Sequence, residues 1–250
     1  MSRTSSGAFV LGVALSGFFD GILLHQILQW HHLLSLVDGE GLQDPRVQIL
    51  ADGAFHVLMY TLTAVGLAML WKGRRDLQAA GAGRRIWAAL LLGFGAWNVA
   101  DVVVFHWVLG IHRIRLDGPP PLPWDIGWLV ALGLLPMLAG ATVLRSRRGG
   151  GQGLRAACIM AVVVLAGGAW SLQPVQQGYA AVLLRSEAST SRMLAAISEV
   201  GGGLVALDRS GQVLIVRLPP GEQGWSLYRA GALLVGSASP AGCATALKVT

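Results

Sequence analysis

The sequence predicts an α-helical integral membrane bundle followed by a small α+β domain. The chain has 250 residues, of which 54% are hydrophobic and only 13% charged, with a mean hydropathy of +0.58. A soluble domain of ordinary composition has about 25% charged residues. Several apolar stretches reach the roughly 20 residues that a membrane crossing requires, and the sequence after residue 174 changes to alternating short strand and helix patterns.

Five stretches are predicted to span the membrane, at about residues 8–30, 50–71, 86–109, 126–144 and 155–172. The first is too long and too polar at its end for a cleaved signal peptide, so it is counted as a span. The expected organisation is a four-helix, His-rich membrane domain over residues 1–148 and a fifth helix over 149–173. Residues 174–250 then form the small domain.

The positive charges predict how the helices are oriented. Ten lie at the loops of one side: Arg3, Lys72, Arg74, Arg75, Arg84, Arg85, Arg145, Arg147, Arg148 and Arg155. Three lie in the opposite loops: Arg46, Arg113 and Arg115. Because positive loops stay in the cytoplasm, we expect a bacterial inner-membrane protein whose N-terminus is cytoplasmic and whose C-terminal domain is outside. The net charge of +6 is explained by these loops, so the lipid bilayer is the expected partner and nucleic acid is not.

Residues 174–250 are predicted to follow the order β-α-β-β-α-β. Strands are expected at 179–185, 203–208, 212–218 and 232–238, and helices at 187–200 and 222–230. This order is typical of a ferredoxin-like split βαβ domain. No cluster of metal-ligating or catalytic residue types occurs in this part of the sequence, which favours an exported interaction or capping domain.

Ionisable residues collect toward the predicted outer ends of the membrane helices. They are His25, His31, His32, His56, His106 and His112, together with the acids Asp20, Asp52, Asp101 and Asp125 and the amide of Asn98. Such groups are costly in a bilayer, and they normally face the interior of a bundle, where they are paired or functional. Their number at one depth predicts a functional site.

Their spacing indicates an internal repeat. Asp20, His25 and His31 are separated by five and six residues, and Asp101, His106 and His112 repeat both intervals; Asp52 and Asp125 open the helices that follow, where Leu129 takes the place of His56. We interpret this pattern as a degenerate tandem repeat of two helical hairpins. If each helix stays regular, the acid and the second histidine of each copy share one helix face.

This arrangement predicts a common centre for His25, His56 and His106. The acids would lie one layer deeper, as additional ligands or as acceptors for imidazole N–H groups. His31, His32 and His112 complete the candidate ligand set. Arg113 occupies the position in the repeat that corresponds to His32, so no specific role is predicted for that histidine.

The stretches GFFDGILLHQILQWHHLLS, ADGAFH and NVADVVVFHWVLGIHRIR resemble a family of predicted bacterial integral-membrane proteins of unknown function. The resemblance covers about residues 7–148 and implies a four-helix membrane domain; the fifth helix and exported domain lie outside it. Some family members are encoded near respiratory oxidase assembly factors, which makes other membrane or respiratory-chain proteins candidate partners. In the third helix this chain has Asp101 where the family has Glu, Phe105 where it has Asp and Arg113 where it has a second His.

Four functions fit the polar residues. The favoured one is binding of a transition metal, namely copper, iron or zinc, because imidazole and carboxylate suit these ions. No thiolate or Met cluster accompanies them, which argues against a dedicated Cu(I) site. The expected task is handling or holding the metal, and catalysis is not expected. A haem b ligated by His25 and His106 is the first alternative, with Gly12, Gly17, Gly21, Gly93 and Gly95 leaving room for the porphyrin unless they serve helix packing. A membrane-bound metal-dependent oxidoreductase and a proton or solute pathway are the others.

Overall fold

A computed structural model describes most of the chain. The described residues are 2–28, 30–39, 41–42, 44–116, 120–146, 152–171, 178–186, 189–208, 210–219 and 224–237. The predicted strand and helix ends at residues 187–188, 220–223 and 238 lie outside them.

Five long helices precede the small domain. They are α1 (Arg3–Asp20, continued by a π-helical Gly21–Ile27), α2 (Pro45–Lys72), α3 (Ala82–Ala100, continued by a π-helical Asp101–Val108), α4 (Pro121–Trp128, π-helical Leu129–Leu134, then Leu135–Arg145) and α5 (Gly153–Ser171). A short 3-10 helix, Arg74–Gln78, joins α2 to α3. Each of the five contains a segment long and apolar enough to cross a membrane. The five predicted spans are therefore confirmed as candidate spans.

The C-terminal ends of α1 and α3 depart from α-helical geometry in the same way. The amide of Leu28 donates to the Leu23 carbonyl at 2.8 Å, and the amide of Leu109 donates to the Val104 carbonyl at 2.8 Å. These i to i+5 bonds define π-helical turns, which occur frequently at functional sites. Leu28 and Leu109 occupy equivalent repeat positions, so the duplication extends to the backbone.

The regular helices do not reach the second histidine of either copy. The helical segments end at Ile27 and Val108, and His31 and His112 follow in non-helical chain. Gly110 turns the chain with a φ of +65°, a conformation that glycine adopts without steric cost. The prediction that Asp20 shares a helix face with His31, and Asp101 with His112, is therefore wrong, because neither histidine lies on a helix.

Glycines allow α1, α3 and α4 to pack with their backbones close together. A Cβ at Gly12 would collide with the Leu90 carbonyl, and one at Gly93 with the Phe9 carbonyl. A Cβ at Gly95 would collide with the Gly133 carbonyl of α4. Small residues at helix interfaces are typical of membrane bundles, where packing and not the hydrophobic effect drives association.

Asn98 joins the same three helices through its amide. Its Nδ2 atom lies 2.7 Å from Ser16 Oγ in α1 and 3.1 Å from the Leu132 carbonyl in α4, and its Oδ1 accepts from Trp128 Nε1 at 2.8 Å. The side chain is buried, so these bonds satisfy a group that would otherwise be costly.

The small domain has the predicted order of elements. These are β1 (Gly178–Leu184), α6 (Thr190–Glu199), β2 (Gly203–Leu207), β3 (Val213–Leu218), α7 (Trp225–Arg229) and β4 (Ala232–Ser237). The sheet order is β2-β3-β1-β4 with every neighbouring pair antiparallel. This is the split βαβ arrangement, so the predicted α+β fold is confirmed. One face of the sheet packs against the two helices. Val182, Leu214 and Val216 of the sheet form a buried cluster with Met193 and Ile197 of α6.

The chain forms two compact units. One comprises Met1–Ile22 with Ala54–Ser171, and the other comprises Leu23–Gly53 with Leu172–Thr250. Within the second unit, Leu234 of β4 lies in van der Waals range of Gly53. Its sheet face opposite the helices is also buried, with Leu183, Val213 and Ile215 no more than 3% exposed. The loop segment after α1 thus belongs to the same unit as the small domain.

Candidate metal centres

A buried His/Asp cluster lies at the π-helical end of α3. Asp101 Oδ2 is 3.2 Å from His106 Nε2, and Asp101 Oδ1 is 3.3 Å from His112 Nε2. The two imidazole centroids are 4.7 Å apart with planes inclined at 72°. All three residues are at most 5% exposed. The π-helical turn places residues five apart on one side of the helix, which brings Asp101 and His106 together.

Asp125 at the start of α4 supports this cluster from behind. Its Oδ1 lies 2.9 Å from His106 Nδ1 and accepts from the Ile114 amide at 3.1 Å. Its Oδ2 accepts from Arg113 Nη1 at 2.9 Å and from Trp107 Nε1 at 3.2 Å. Asp125 has no exposed surface. Its four partners offset the cost of burying the carboxylate and fix the orientation of the His106 ring.

Both ring nitrogens of His106 therefore face carboxylates. A neutral imidazole has a single N–H group, so it cannot donate to Asp125 and Asp101 at once. The contact of Nδ1 with Asp125 is shorter than that of Nε2 with Asp101, so we assign the proton of the neutral ring to Nδ1. In the part of the chain that the structure describes, His106 Nε2 is buried and makes no hydrogen bond of acceptable geometry, although Asp101 is close.

The matching cluster of the first repeat is formed by the π-helical end of α1, the segment that follows it and the start of α2. His25 Nε2 lies 3.1 Å from His31 Nε2, and the ring centroids are 4.7 Å apart at 76°. His25 Nδ1 lies 3.2 Å from Asp52 Oδ1. His25 thus presents Nε2 to the second histidine and Nδ1 to the acid of the following helix. His106 likewise directs Nδ1 to the acid of the following helix, whereas its Nε2 faces Asp101.

Asp52 is held in the same way as Asp125. Its Oδ2 lies 2.7 Å from His32 Nδ1, and its Oδ1 accepts from the Leu33 amide at 2.9 Å. His32 and Leu33 correspond in the repeat to Arg113 and Ile114. The sequence predicted the matching acids and histidines; it did not predict that the residue after each second histidine and the next amide would bind the supporting carboxylate.

Three further predicted site residues are Asp20, His56 and Asn98. Asp20 is buried at the end of the α-helical part of α1, and as a ligand it stays a prediction. The His56 ring lies against Gly21, where a Cβ would collide with it. Asn98 is engaged in helix packing, as described above. A single centre shared by His25, His56 and His106 also stays a prediction, since the structure shows a local cluster in each unit.

Space for a porphyrin was expected at five glycines, and protein atoms occupy that space instead. Gly12, Gly93 and Gly95 face neighbouring helix backbones, Gly17 faces Met59, and Gly21 faces His56. These positions therefore serve close helix packing in the structure, and haem binding by His25 and His106 stays a prediction.

Sequence reasoning missed two side chains of the second centre. The sequence predicted no role at the site for Arg113, which departs from the family pattern, or for Trp107, yet both donate to Asp125. The available signal was their position directly after His112 and His106, since neighbours of buried ligands are well placed to reach the same carboxylate.

Five candidate membrane-spanning helices with two buried His/Asp clusters define a polytopic membrane protein with a polar centre in each repeat. The chain belongs to the family described as predicted membrane protein (DUF2243), whose model matches residues 7–147. This range includes both clusters and excludes α5 and the small domain. No curated protein and no solved structure matches the chain.

Proposed function

We propose that the protein binds transition-metal ions at the two clusters, one ion in each repeat. In the second repeat the ligands are His106, His112 and Asp101. In the first they include His25 and His31, while Asp52 and Asp125 hold the imidazoles in position from behind. Ligating histidines commonly donate their other N–H to a carboxylate, which fixes the tautomer and raises ligand basicity.

The observation that carries the proposal is the position of His106 between two carboxylates. With the single proton on Nδ1 facing Asp125, the Nε2 lone pair points at the oxygens of Asp101. Two facing lone-pair donors repel each other in a buried site, and either a proton on Nε2 or a metal ion bound between them removes that repulsion. The metal ion is proposed because His112 Nε2, 3.3 Å from Asp101 Oδ1, supplies a further ligand atom at the same place.

The separations of the donor atoms agree with coordination to one small ion. Ligand atoms about 2.0–2.1 Å from a tetrahedral metal lie roughly 3.4 Å from one another. Asp101 is 3.2 Å from His106 and 3.3 Å from His112 at the donor atoms, and His25 and His31 are 3.1 Å apart. Little rearrangement is needed to accept the ion.

The donor types restrict the metal. Two imidazoles and a carboxylate suit zinc, Cu(II) or Fe(II), and the described clusters contain no thiolate or thioether that would select Cu(I). Three protein ligands leave at least one position open, as in sites that exchange or transfer what they bind. Metal handling, which we propose takes place during assembly of a respiratory oxidase, would use these open positions.

We place both centres near the extracytoplasmic face of a bacterial inner membrane. The ten basic residues at the opposite helix ends support this orientation. With five spans, the outer end of α1 and the end of α5 emerge on the same side. The compact unit formed by residues 23–53 and 172–250 agrees with that topology. A reporter fused after α5 tests the sidedness directly.

Elemental analysis of the purified full-length protein in detergent tests metal binding. We expect two equivalents of bound metal in the wild type and one in each of the double variants His106→Ala/His112→Ala and His25→Ala/His31→Ala. His56→Ala is the matched control, because this histidine packs on Gly21, and it should retain both ions.

Two results would contradict the proposal. One is a wild-type protein that binds no transition metal after incubation with zinc, copper and iron salts. The other is full retention of metal in both double variants. A Soret band in the purified protein would instead support the haem alternative.

A further inference from the structure

We infer that the two metal centres differ in exchange rate, the first being the one through which ions enter and leave. This inference rests on the proposed function. It concerns His32 and Arg113, which occupy equivalent positions in the two repeats but offer opposite chemistry to a cation.

The equivalence of the two positions is structural. His32 Nδ1 lies 2.7 Å from Asp52 Oδ2, and Arg113 Nη1 lies 2.9 Å from Asp125 Oδ2. In each repeat the other carboxylate oxygen accepts from the next backbone amide, that of Leu33 or Ile114. The two side chains therefore hold the supporting acid in the same manner.

Their capacity to bind a metal differs. With Nδ1 engaged by Asp52, the imidazole of His32 retains a second nitrogen that can coordinate a cation. A guanidinium has only donors, stays protonated in proteins and repels cations. The edge of the first centre thus offers an entry ligand, and the edge of the second presents a fixed positive charge.

Exposure differs in the same direction. The side chains of His32 and Asp52 are 44% and 15% exposed, against 27% and 0% for Arg113 and Asp125. An ion or a chelator therefore reaches a usable nitrogen at the first centre from the surrounding medium. At the second it meets the guanidinium before a fully buried carboxylate.

The chemical consequence is a stepwise transfer at the first centre. His32 would offer its second nitrogen to an incoming ion before His25 and His31 hold that ion, and the reverse order would release it. The second centre has no such intermediate ligand at the equivalent position, so its ion dissociates slowly.

The test is removal of Zn(II) from the loaded full-length protein by excess chelator, followed by the absorbance of the metallochromic complex. The wild type should release zinc in a fast and a slow phase of equal amplitude. His32→Arg should slow the fast phase and Arg113→His should accelerate the slow one, each by about tenfold or more. His32→Asn, whose amide can still donate to Asp52 without offering a ring nitrogen, should slow release as His32→Arg does.

A single phase carrying two equivalents of zinc would overturn this inference and leave the proposed function intact. So would a fast phase unchanged in both His32→Arg and His32→Asn. Failure of the wild type to bind zinc, copper or iron at all would instead reject the proposed function. The conservative His32→Asn variant keeps the test decisive if His32→Arg does not fold.

Discussion

Nδ1 of His106 lies 2.9 Å from Oδ1 of Asp125, and neither side chain has any exposed surface. The pair connects α3 to α4 and leaves Nε2 of the imidazole directed at Asp101. In the proposed metal centre, Asp125 would thereby act through the histidine and not as a ligand itself. His25 and Asp52 form the same relationship in the first repeat.

Asp125→Asn should weaken metal binding at the second centre by about 10- to 100-fold, the usual cost of losing a carboxylate behind a histidine ligand. The amide has one acceptor oxygen where the carboxylate serves four donors, so the His106 ring is less firmly held. Competition with a chelator of known affinity measures the change, and Asp52→Asn should have the matching effect at the first centre. Asp38→Asn is the control, because it alters an exposed acid in the loop between α1 and α2.

An affinity that is unaltered in both variants would show that the carboxylates do not support the ligands. Equal losses in Asp38→Asn would indicate a general effect of surface charge on the metal ion.

Much of the architecture followed from composition and periodicity. The five spans and the order of strands and helices in the small domain were predicted because apolar length and alternation are local properties of the chain. The repeat was visible because the intervals from Asp20 to His25 and from Asp101 to His106 are identical.

The site was harder to predict because its geometry depends on deviations from regular structure. A constant 100° per residue fails where α1 and α3 become π-helical, and it has no meaning at His31 and His112 beyond the helix ends. The contacts of Arg113 with Asp125 depend on a turn at Gly110, and no periodic pattern encodes that turn.

Close helix packing predicts that alanine substitutions at two glycines differ in their effect on the stability of the protein. Gly12→Ala should destabilise the bundle by about 1–3 kcal/mol, because the added methyl group collides with the Leu90 carbonyl of α3. Gly127→Ala is the matched control: a Cβ there meets no atom of the described residues within 4 Å, and alanine is the better helix former. Thermal unfolding in detergent compares the two, and equal melting temperatures would refute the close approach of α1 and α3.

Asn98→Ala separates a packing role from a metal-binding one. Loss of the bonds to Ser16, Leu132 and Trp128 should cost about 1–3 kcal/mol, since buried partners are left without a hydrogen bond. Metal content should be unchanged, because this amide is engaged in packing. Melting temperature and elemental analysis on the same preparation provide both readouts, and a loss of metal at unchanged stability would assign Asn98 to the ligand set instead.

Metal retention should depend on pH in one direction. Ligating imidazoles must be neutral and ligating carboxylates ionised, so protons compete with the ion and bound metal is released as the pH falls. Samples equilibrated from about pH 8 to about pH 5, the range in which histidine commonly changes charge, should lose metal progressively at fixed free zinc. Removing His106 and His112 should leave only the profile of the first centre, whereas His56→Ala should reproduce the wild-type curve. Metal content that stays constant over this range in the wild type would exclude histidine ligands, and with them both centres.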